Sequence, residues 1–395
     1  MAVSADNIVI LSAVRTAIGT FGGGLAGLAP HETGAIVARA ALERAGVEGD
    51  RIGHVMFGNV IATEPRDMYL SRLAAMGAGV PDTVPAMNVN RLCGSGAQAI
   101  VSAVQALALG EADFALAGGA EAMSRAPHAL PSARFGARMG DAAALDMLTG
   151  ALTCPFGTGH MGVTAENVAE EHGIDRAAQD EFALQSQTRA AAAIAAGHFA
   201  DQIVPVEVRT RKGPVRFETD EHPKATTAEA LAGLRPVFKK GGSVTAGNAS
   251  GINDGAAALV LARAEAAEAA GLKPRARLLG HAHAGVRPEV MGIGPVPAVQ
   301  ALCARTGLSV DDFDVVESNE AFAAQALAVN KVLGLDPARV NPNGGAIALG
   351  HPVGATGAII TVKALNELER TGGRRALITM CIGGGQGIAL AIERI

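Results

Sequence analysis

The sequence has no tryptophan, one tyrosine and an aromatic content of 3% across 395 residues. Charged residues make up only 18%. Even so, no stretch reaches the roughly 18 consecutive uncharged apolar residues that a membrane-spanning helix requires, so no span is expected. A net charge of −5 supplies no basic field for nucleic acid or an anionic bilayer, and neither is expected as a partner. The N-terminus lacks a basic stretch followed by a long apolar core, which argues against a secretory signal. The closing ERI is not a peroxisomal address. The four cysteines, Cys93, Cys154, Cys303 and Cys381, include no C-x-x-C pair, and no histidine lies near them at zinc-ligand spacing. A reduced, cytoplasmic setting and the absence of a metal site are therefore the expectation.

What the chain does have is alanine, glycine and a 49% hydrophobic content, which suits closely packed helices and strands rather than disorder. The length suffices for two or three domains with a large core. Short apolar runs such as NIVILSAV and HVMFGNV read as strands, and HETGAIVARAALERAG reads as a helix. This alternation predicts a mostly parallel sheet covered by helices. PAMNV is extended, RLCGS turns, and Ala97, Ile100, Val101, Val104, Leu107 and Ala108 form one apolar helical face. DFALAGG follows as a buried strand.

The end of the chain repeats this pattern. Asn59 closes HVMFGN and Asn319 closes DVVESN, 260 positions apart. Ala97 in GSGA and Ala358 in ATGA lie 261 apart, and Gly118 and Gly383 lie 265 apart. So steady an offset points to two copies of one βα series. The stretch between them, about 123–245, is richer in arginine, proline and acids. It carries two helical patterns and the charged, hairpin-like VEVRTRKGPVRFETD. It reads as an excursion over one face of the core, and such loop regions often carry binding function.

Cys93 lies in VNRLCGSGAQAI, on a glycine-flanked turn at the mouth of a helix. Helix-terminal N–H groups stabilise a thiolate and lower its pKa, so the turn is suited to a nucleophile; the bland alternative is an inert cysteine in a capping turn. Cys303, within the helical AVQALCARTG, fits a buried apolar role. A nucleophilic thiol needs a base, and His351 stands in ALGHPVGATGA, the turn that matches the Cys93 turn in the second copy. Alone it is equally a turn histidine in water. Cys381 precedes IGGGQG at a strand end, where Gly383 is free to present an N–H to an oxyanion. Asn319 sits where a strand hands over to a helix, as a cap or as a site residue.

With these residues in view, the sequence resembles the thiolases, acetyl-CoA C-acyltransferases, over essentially its whole length. The signatures are NRLCGSGAQAI, AGGAEAMS, GHMGVTAENVA, VTAGNASGINDGAAA, ESNEAFAAQA, GGAIALGHPVGATGA and TMCIGGGQG. GNVIATEPRDMYL and RFGARMGD further resemble bacterial biosynthetic-type β-ketothiolases of broad chain-length tolerance, including those of polyhydroxyalkanoate synthesis.

The resemblance implies an α/β thiolase fold, with two duplicated βα halves packed as a layered αβαβα core and an inserted loop domain. The halves are expected at 1–122 plus 246–272 and at 273–395, with the loop domain at 123–245. It implies that Cys93 carries the acyl group, His351 takes its proton, and Cys381 moves the proton at the α-carbon. Asn319 would orient a water in one oxyanion hole; the N–H groups of Cys93 and Gly383 would form the other. His160, Met161, Ala246, Ser250, Met291, Ala321 and Phe322 fall on positions lining the pantetheine tunnel. Lys224 falls near the family's basic contact to the nucleotide end of the coenzyme, with spacing one residue short.

The implied reaction is reversible condensation of two acetyl-CoA to acetoacetyl-CoA and CoA, together with thiolysis of longer 3-ketoacyl-CoA. CoA and acyl-CoA would be substrates, with no bound cofactor. Self-association as a dimer, and as a homotetramer through SRAPHALPSARFGARMGD, is also implied. The rival readings are a degradative 3-ketoacyl-CoA thiolase, a ketoacyl synthase and a non-catalytic acyl-CoA-binding protein. The second reactive-type cysteine and the Asn319–Phe322 motif disfavour a synthase. Retention of Cys93, His351 and Cys381 disfavours a silent carrier.

Overall fold

The computed structural model describes residues 7–395. Nine strands build the main sheet: β1 (Ile8–Arg15), β2 (His54–Gly58), β3 (Ala86–Val89), β4 (Phe114–Ala122), β5 (Asn253–Arg263), β6 (Ala276–Gly285), β7 (Val315–Ser318), β8 (Arg375–Ile382) and β9 (Gln386–Arg394). Their order is β7-β8-β9-β6-β1-β5-β4-β2-β3, and a two-residue strand, Gly19–Thr20, is added against β5.

The duplication read from the sequence is visible in this order. In the first half β1 pairs antiparallel with β5, β5 antiparallel with β4, β4 parallel with β2, and β2 parallel with β3. In the second half β6, β9, β8 and β7 repeat the same sequence of pairings. The place of β3 is taken by a single parallel bridge from Val316 to Val340. The halves meet at a short seam, where Val9 and Ile10 of β1 pair with Arg277 and Ala276 of β6. The sheet is thus mixed rather than mostly parallel, because the strand that ends each half returns antiparallel between the other strands.

Eight of the helices shape the core and border the cleft: α1 (Pro30–Ala45), α2 (Leu70–Gly77), α3 (Ser95–Ala108), α4 (Met161–His172), α5 (Arg176–Ala195), α6 (Pro295–Thr306), α7 (Ala323–Leu333) and α8 (Thr356–Thr371). Helices α3 and α8 lie side by side between the two sheet halves. Both are buried on nearly every side, in α3 beyond the single apolar face that periodicity predicts, since a helix apolar all round belongs in an interior. Outside them, α1 and α2 cover the first half and α6 covers the second. The result is a five-layer αβαβα stack.

β1 shows how the sequence serves both faces. Ile8, Ile10 and Ala13 enter the central layer, while Val9, Leu11 and Val14 enter the outer one. The alternation slips by one because a register shift falls between Ile10 and Ser12. A strand covered on both sides needs such an unbroken apolar run.

The region 123–245 adds no strand to this sheet. It holds α4, α5 and a separate hairpin, Val206–Thr210 with Gly213–Phe217. No helix of the described residues is long and apolar enough to cross a membrane.

Candidate active site

The turns at the inner ends of α3 and α8 press together backbone to backbone. A Cβ on Gly96 would lie 2.7 Å from the Ala358 nitrogen, and one on Gly357 would lie 2.3 Å from the Ala97 nitrogen. Only glycine permits this approach, and it sets Cys93 and His351 on one cleft. Leu92, just before Cys93, takes a left-handed φ of +46°. The Ser95 hydroxyl holds that conformation: it donates to the Leu92 carbonyl at 2.6 Å and accepts the Arg91 N–H at 2.9 Å.

A cavity of about 580 Å³ opens here. Cys93, His351, Cys381 and Gly383 line its inner end, and Asn319 stands directly behind His351. His160, Met161, Met291, Ala321 and Phe322 form a largely apolar wall. Ala246, Ser250 and Lys224 also reach the cavity. Every candidate residue therefore gathers at one place, despite being drawn from both halves and from the excursion.

His351 is buried, and burial lowers its pKa to about 4, so the imidazole is neutral. Its Nδ1 lies 2.7 Å from the Thr356 hydroxyl, whose single proton goes to the Pro352 carbonyl at 2.9 Å. Nδ1 must then be the N–H donor, which leaves the Nε2 lone pair free to accept a proton. The Asn319 side-chain N–H approaches Nε2 at 3.4 Å, and the Asn319 Oδ1 is buried without a protein partner. Asn319 does not cap the following helix, whose cap is Phe322; its own backbone N–H donates to Thr379 of β8.

Cys93 departs from the expectation of a resting thiolate. Burial pushes the thiol up, and the nearby Glu121 adds to this. The N–H groups of Gly383 and of Cys93 itself donate to the sulfur and pull the other way without prevailing. Helix-mouth stabilisation is present but smaller than desolvation, so the resting form is the thiol. Cys381 is fully buried and its thiol is likewise pushed up, first by burial and then by Cys93. Two thiols and a neutral imidazole share the cleft.

Glu121 is a buried carboxyl that accepts four N–H bonds, from the Asn59 side chain and from the backbones of Val60, Ile61 and Gly354, at 2.8–3.1 Å. Burial pushes its pKa up to about 8. With its lone pairs already facing N–H groups, the ionised form is the one these surroundings accommodate. It ties the end of β2 in one half to the His351 turn in the other.

At the outer wall, His160 caps α4 by accepting the Gly162 N–H on Nδ1 at 3.0 Å, and its ring stacks on Phe238 at 4.7 Å. Phe238 in turn meets Phe322 edge to face at 6.2 Å. Phe238, Leu92, Val353 and His222 are cavity residues without a signal of their own in the sequence, although His222 stands two positions from Lys224. His222 is held neutral, lowered to about 4 by burial and by the Lys224 charge.

One trio away from the cavity, His31, Glu64 and Asp67, brings potential metal-ligand atoms together. Hydrogen bonds account for it. Asp67 accepts from His31 at 2.8 Å and from Thr63 and Glu64, closing the loop before α2.

An α/β core of two like halves gathers two cysteines, a histidine and an asparagine on one cleft, a set of groups fit for acyl transfer. Residues 8–265 match the model of the thiolase N-terminal domain and residues 272–394 that of the thiolase C-terminal domain; the chain belongs to the thiolase family. It is 64% identical to the beta-ketothiolase BktB of Cupriavidus necator, covering 98% of this chain and 99% of that protein. An acetyl-CoA acetyltransferase of the same organism is 51% identical over 98% and 99% of the two chains. Among solved structures, the acetyl-CoA acetyltransferase of Bacillus anthracis superposes with a TM-score of 0.96 at 48% identity, over 99% of each chain. Human mitochondrial 3-ketoacyl-CoA thiolase in complex with CoA gives 0.96 at 43% identity, over 99% of this chain and 98% of that one.

Proposed function

We propose that this thiolase catalyses the reversible condensation of two acetyl-CoA to acetoacetyl-CoA and CoA, and the thiolysis of somewhat longer 3-ketoacyl-CoA. One observation carries the reading: Cys93, Cys381, the Nε2 of His351 and two converging N–H groups meet at one end of a single cavity.

In thiolysis, His351 Nε2 accepts the Cys93 proton as the sulfur attacks the 3-keto carbon. The developing oxyanion is met by fixed donors, which typically lower the barrier most in acyl transfer. The bond between C2 and C3 then breaks. C2 takes a proton from Cys381, acetyl-CoA departs, and Cys93 is left as a thioester. CoA enters, gives its thiol proton to Cys381 and attacks the thioester. The new acyl-CoA leaves as the Cys93 sulfur recovers its proton from His351. Condensation is the same path reversed, with two half-reactions joined by the acyl-enzyme. Coenzyme A is substrate and product, and the thioester supplies the activation, so the path calls on no bound cofactor.

The excursion 123–245 serves as the coenzyme-binding domain, because it contributes His160, Met161, Phe238 and Lys224 to the cavity. Its loop also exposes Phe135 at 84% and Met139 at 97%, apolar surface suited to a tetramer built from dimers. The cytoplasm, where acyl-CoA is made and used, is the fitting compartment.

CoA-dependent thiolysis of acetoacetyl-CoA and 3-ketovaleryl-CoA tests the proposal. The parent enzyme should turn over both, and Cys93→Ser should be essentially inactive. An inactive parent, or a fully active substitution, would overturn it. Elution at monomer size in gel filtration would refute the assembly.

A further inference from the structure

The segment Asp220-Glu221-His222-Pro223-Lys224 poses an electrostatic problem. A cation meant for the anionic end of a coenzyme follows closely on two carboxylates, which would pair with it or repel the ligand. The structure resolves this. Asp220 is buried and takes both arms of the fully buried Arg15 guanidinium, at 2.7 and 2.8 Å; it also accepts the Ile18 N–H at 2.9 Å. Arg15 is locked in turn by Gln202 at 2.8 Å and by the Phe199 ring 5.0 Å away. Glu221 turns the same way and accepts the Thr20 N–H at 2.9 Å, the Thr20 hydroxyl at 3.1 Å and the Gly24 N–H at 3.1 Å. The Glu221 N–H donates to the Ile18 carbonyl at 2.9 Å. Residues 218–224 belong to no helix or strand, so these bonds fix their path.

Both acids are thereby spent on the segment 15–24. Among the described residues Lys224 pairs with no carboxylate, and it borders the cavity beside His222. We propose that Arg15, Asp220 and Glu221 are positioning residues for coenzyme recognition: they anchor the 220–224 segment and leave Lys224 the unpaired cation that meets the phosphate-bearing end of CoA. This rests on the reading of the cavity as a CoA site. The clamp makes affinity depend on the nucleotide half of the substrate and leaves the chemistry at Cys93 untouched.

The test compares CoA with pantetheine, which lacks the nucleotide. Dissociation constants are measured by calorimetry, and thiolysis is measured on acetoacetyl-CoA and acetoacetyl-pantetheine. Asp220→Asn addresses the buried pair. Glu221→Ala addresses the exposed member and spares the fold if the first variant does not. Each should weaken CoA binding and raise KM for acetoacetyl-CoA about tenfold, the scale of one lost charge-assisted hydrogen bond. Pantetheine binding and kcat should not move.

Equal losses on both ligands, or no loss on either, would overturn the proposal. Loss of CoA discrimination in Glu221→Ala but not in Lys224→Ala would keep the anchor and overturn the assignment of Lys224. A parent that binds CoA but turns over neither substrate would sink the proposed reaction, while the binding arms would still decide the clamp.

Discussion

The two turns that meet at the cleft are built on one plan and put to different use. Ser95 and Thr356 lie 261 positions apart, and each is the first residue of its buried helix. Each hydroxyl donates back to a carbonyl of its own turn, Leu92 in one half and Pro352 in the other. They differ in what they accept. Ser95 takes a backbone N–H from Arg91; Thr356 takes the imidazole Nδ1 of His351. In the first half the hydroxyl stabilises a strained backbone beside Cys93. In the second it fixes the tautomer of His351, the proposed base. Duplication supplied two equivalent hydroxyls, and the side chains around them determined which became structural and which became chemical.

The sharpest way to break the comparison is at the base. His351→Ala should lower kcat by about 10²–10⁴, the usual worth of general base catalysis, while CoA binding is preserved. The parent enzyme carries a related signature in its pH profile. In the proposed reaction His351 acts as the neutral base, and its pKa is lowered to about 4. Activity is therefore retained as pH falls through 6.5, where an exposed histidine would already be protonated, and is lost only as pH approaches 4. A measured kcat/KM profile whose acid limb sits near 6.5 would show His351 to be solvated rather than buried.

Thr356→Val is the more discriminating change, since it keeps the shape and removes the hydroxyl. The Nδ1–H then loses its acceptor, and the Nε2-protonated tautomer, which cannot take a proton from Cys93, becomes accessible. An unpaired buried donor costs about 1–3 kcal/mol, which as a barrier corresponds to about 10–100-fold in kcat. Unchanged kcat in this variant would mean that the tautomer is set elsewhere.

Much of this site is legible in the sequence. Cys93 and His351 stand out because each sits in a glycine-flanked turn, and the repeat offset equates those turns. Helix α3 follows from periodicity and α8 from the repeat of the same pattern, though not their burial on all sides, since that depends on the sheet half each one faces across the central layer. The state of the thiol is not legible. A helix mouth is visible in one segment, but the burial that outweighs it comes from segments far away in sequence. The same holds for Glu121, an acid in the otherwise apolar AGGAEAMS, whose partners Asn59 and Gly354 lie 62 and 233 positions away. Resemblance points to Lys224 despite the short spacing, but the reason it is free of Asp220 and Glu221 lies in Arg15, Thr20 and Gly24, at the far end of the chain.

The smallest effect expected is at the other hydroxyl. Ser95→Ala removes two short bonds that hold Leu92 at a positive φ, a conformation that costs a non-glycine residue free energy unless its surroundings enforce it. The loss should be about 1–2 kcal/mol of stability, read as a lower urea midpoint. The activity cost should be small, because Cys93 retains the Gly383 N–H and its own. kcat within about threefold of the parent is expected, equivalent to less than 1 kcal/mol of barrier. The ratio of the two losses is the useful quantity. Thr356→Val should harm turnover more than stability, and Ser95→Ala the reverse. If both variants lose turnover alike, the first-half hydroxyl also shapes the chemistry, and the two turns do not divide their labour in this way.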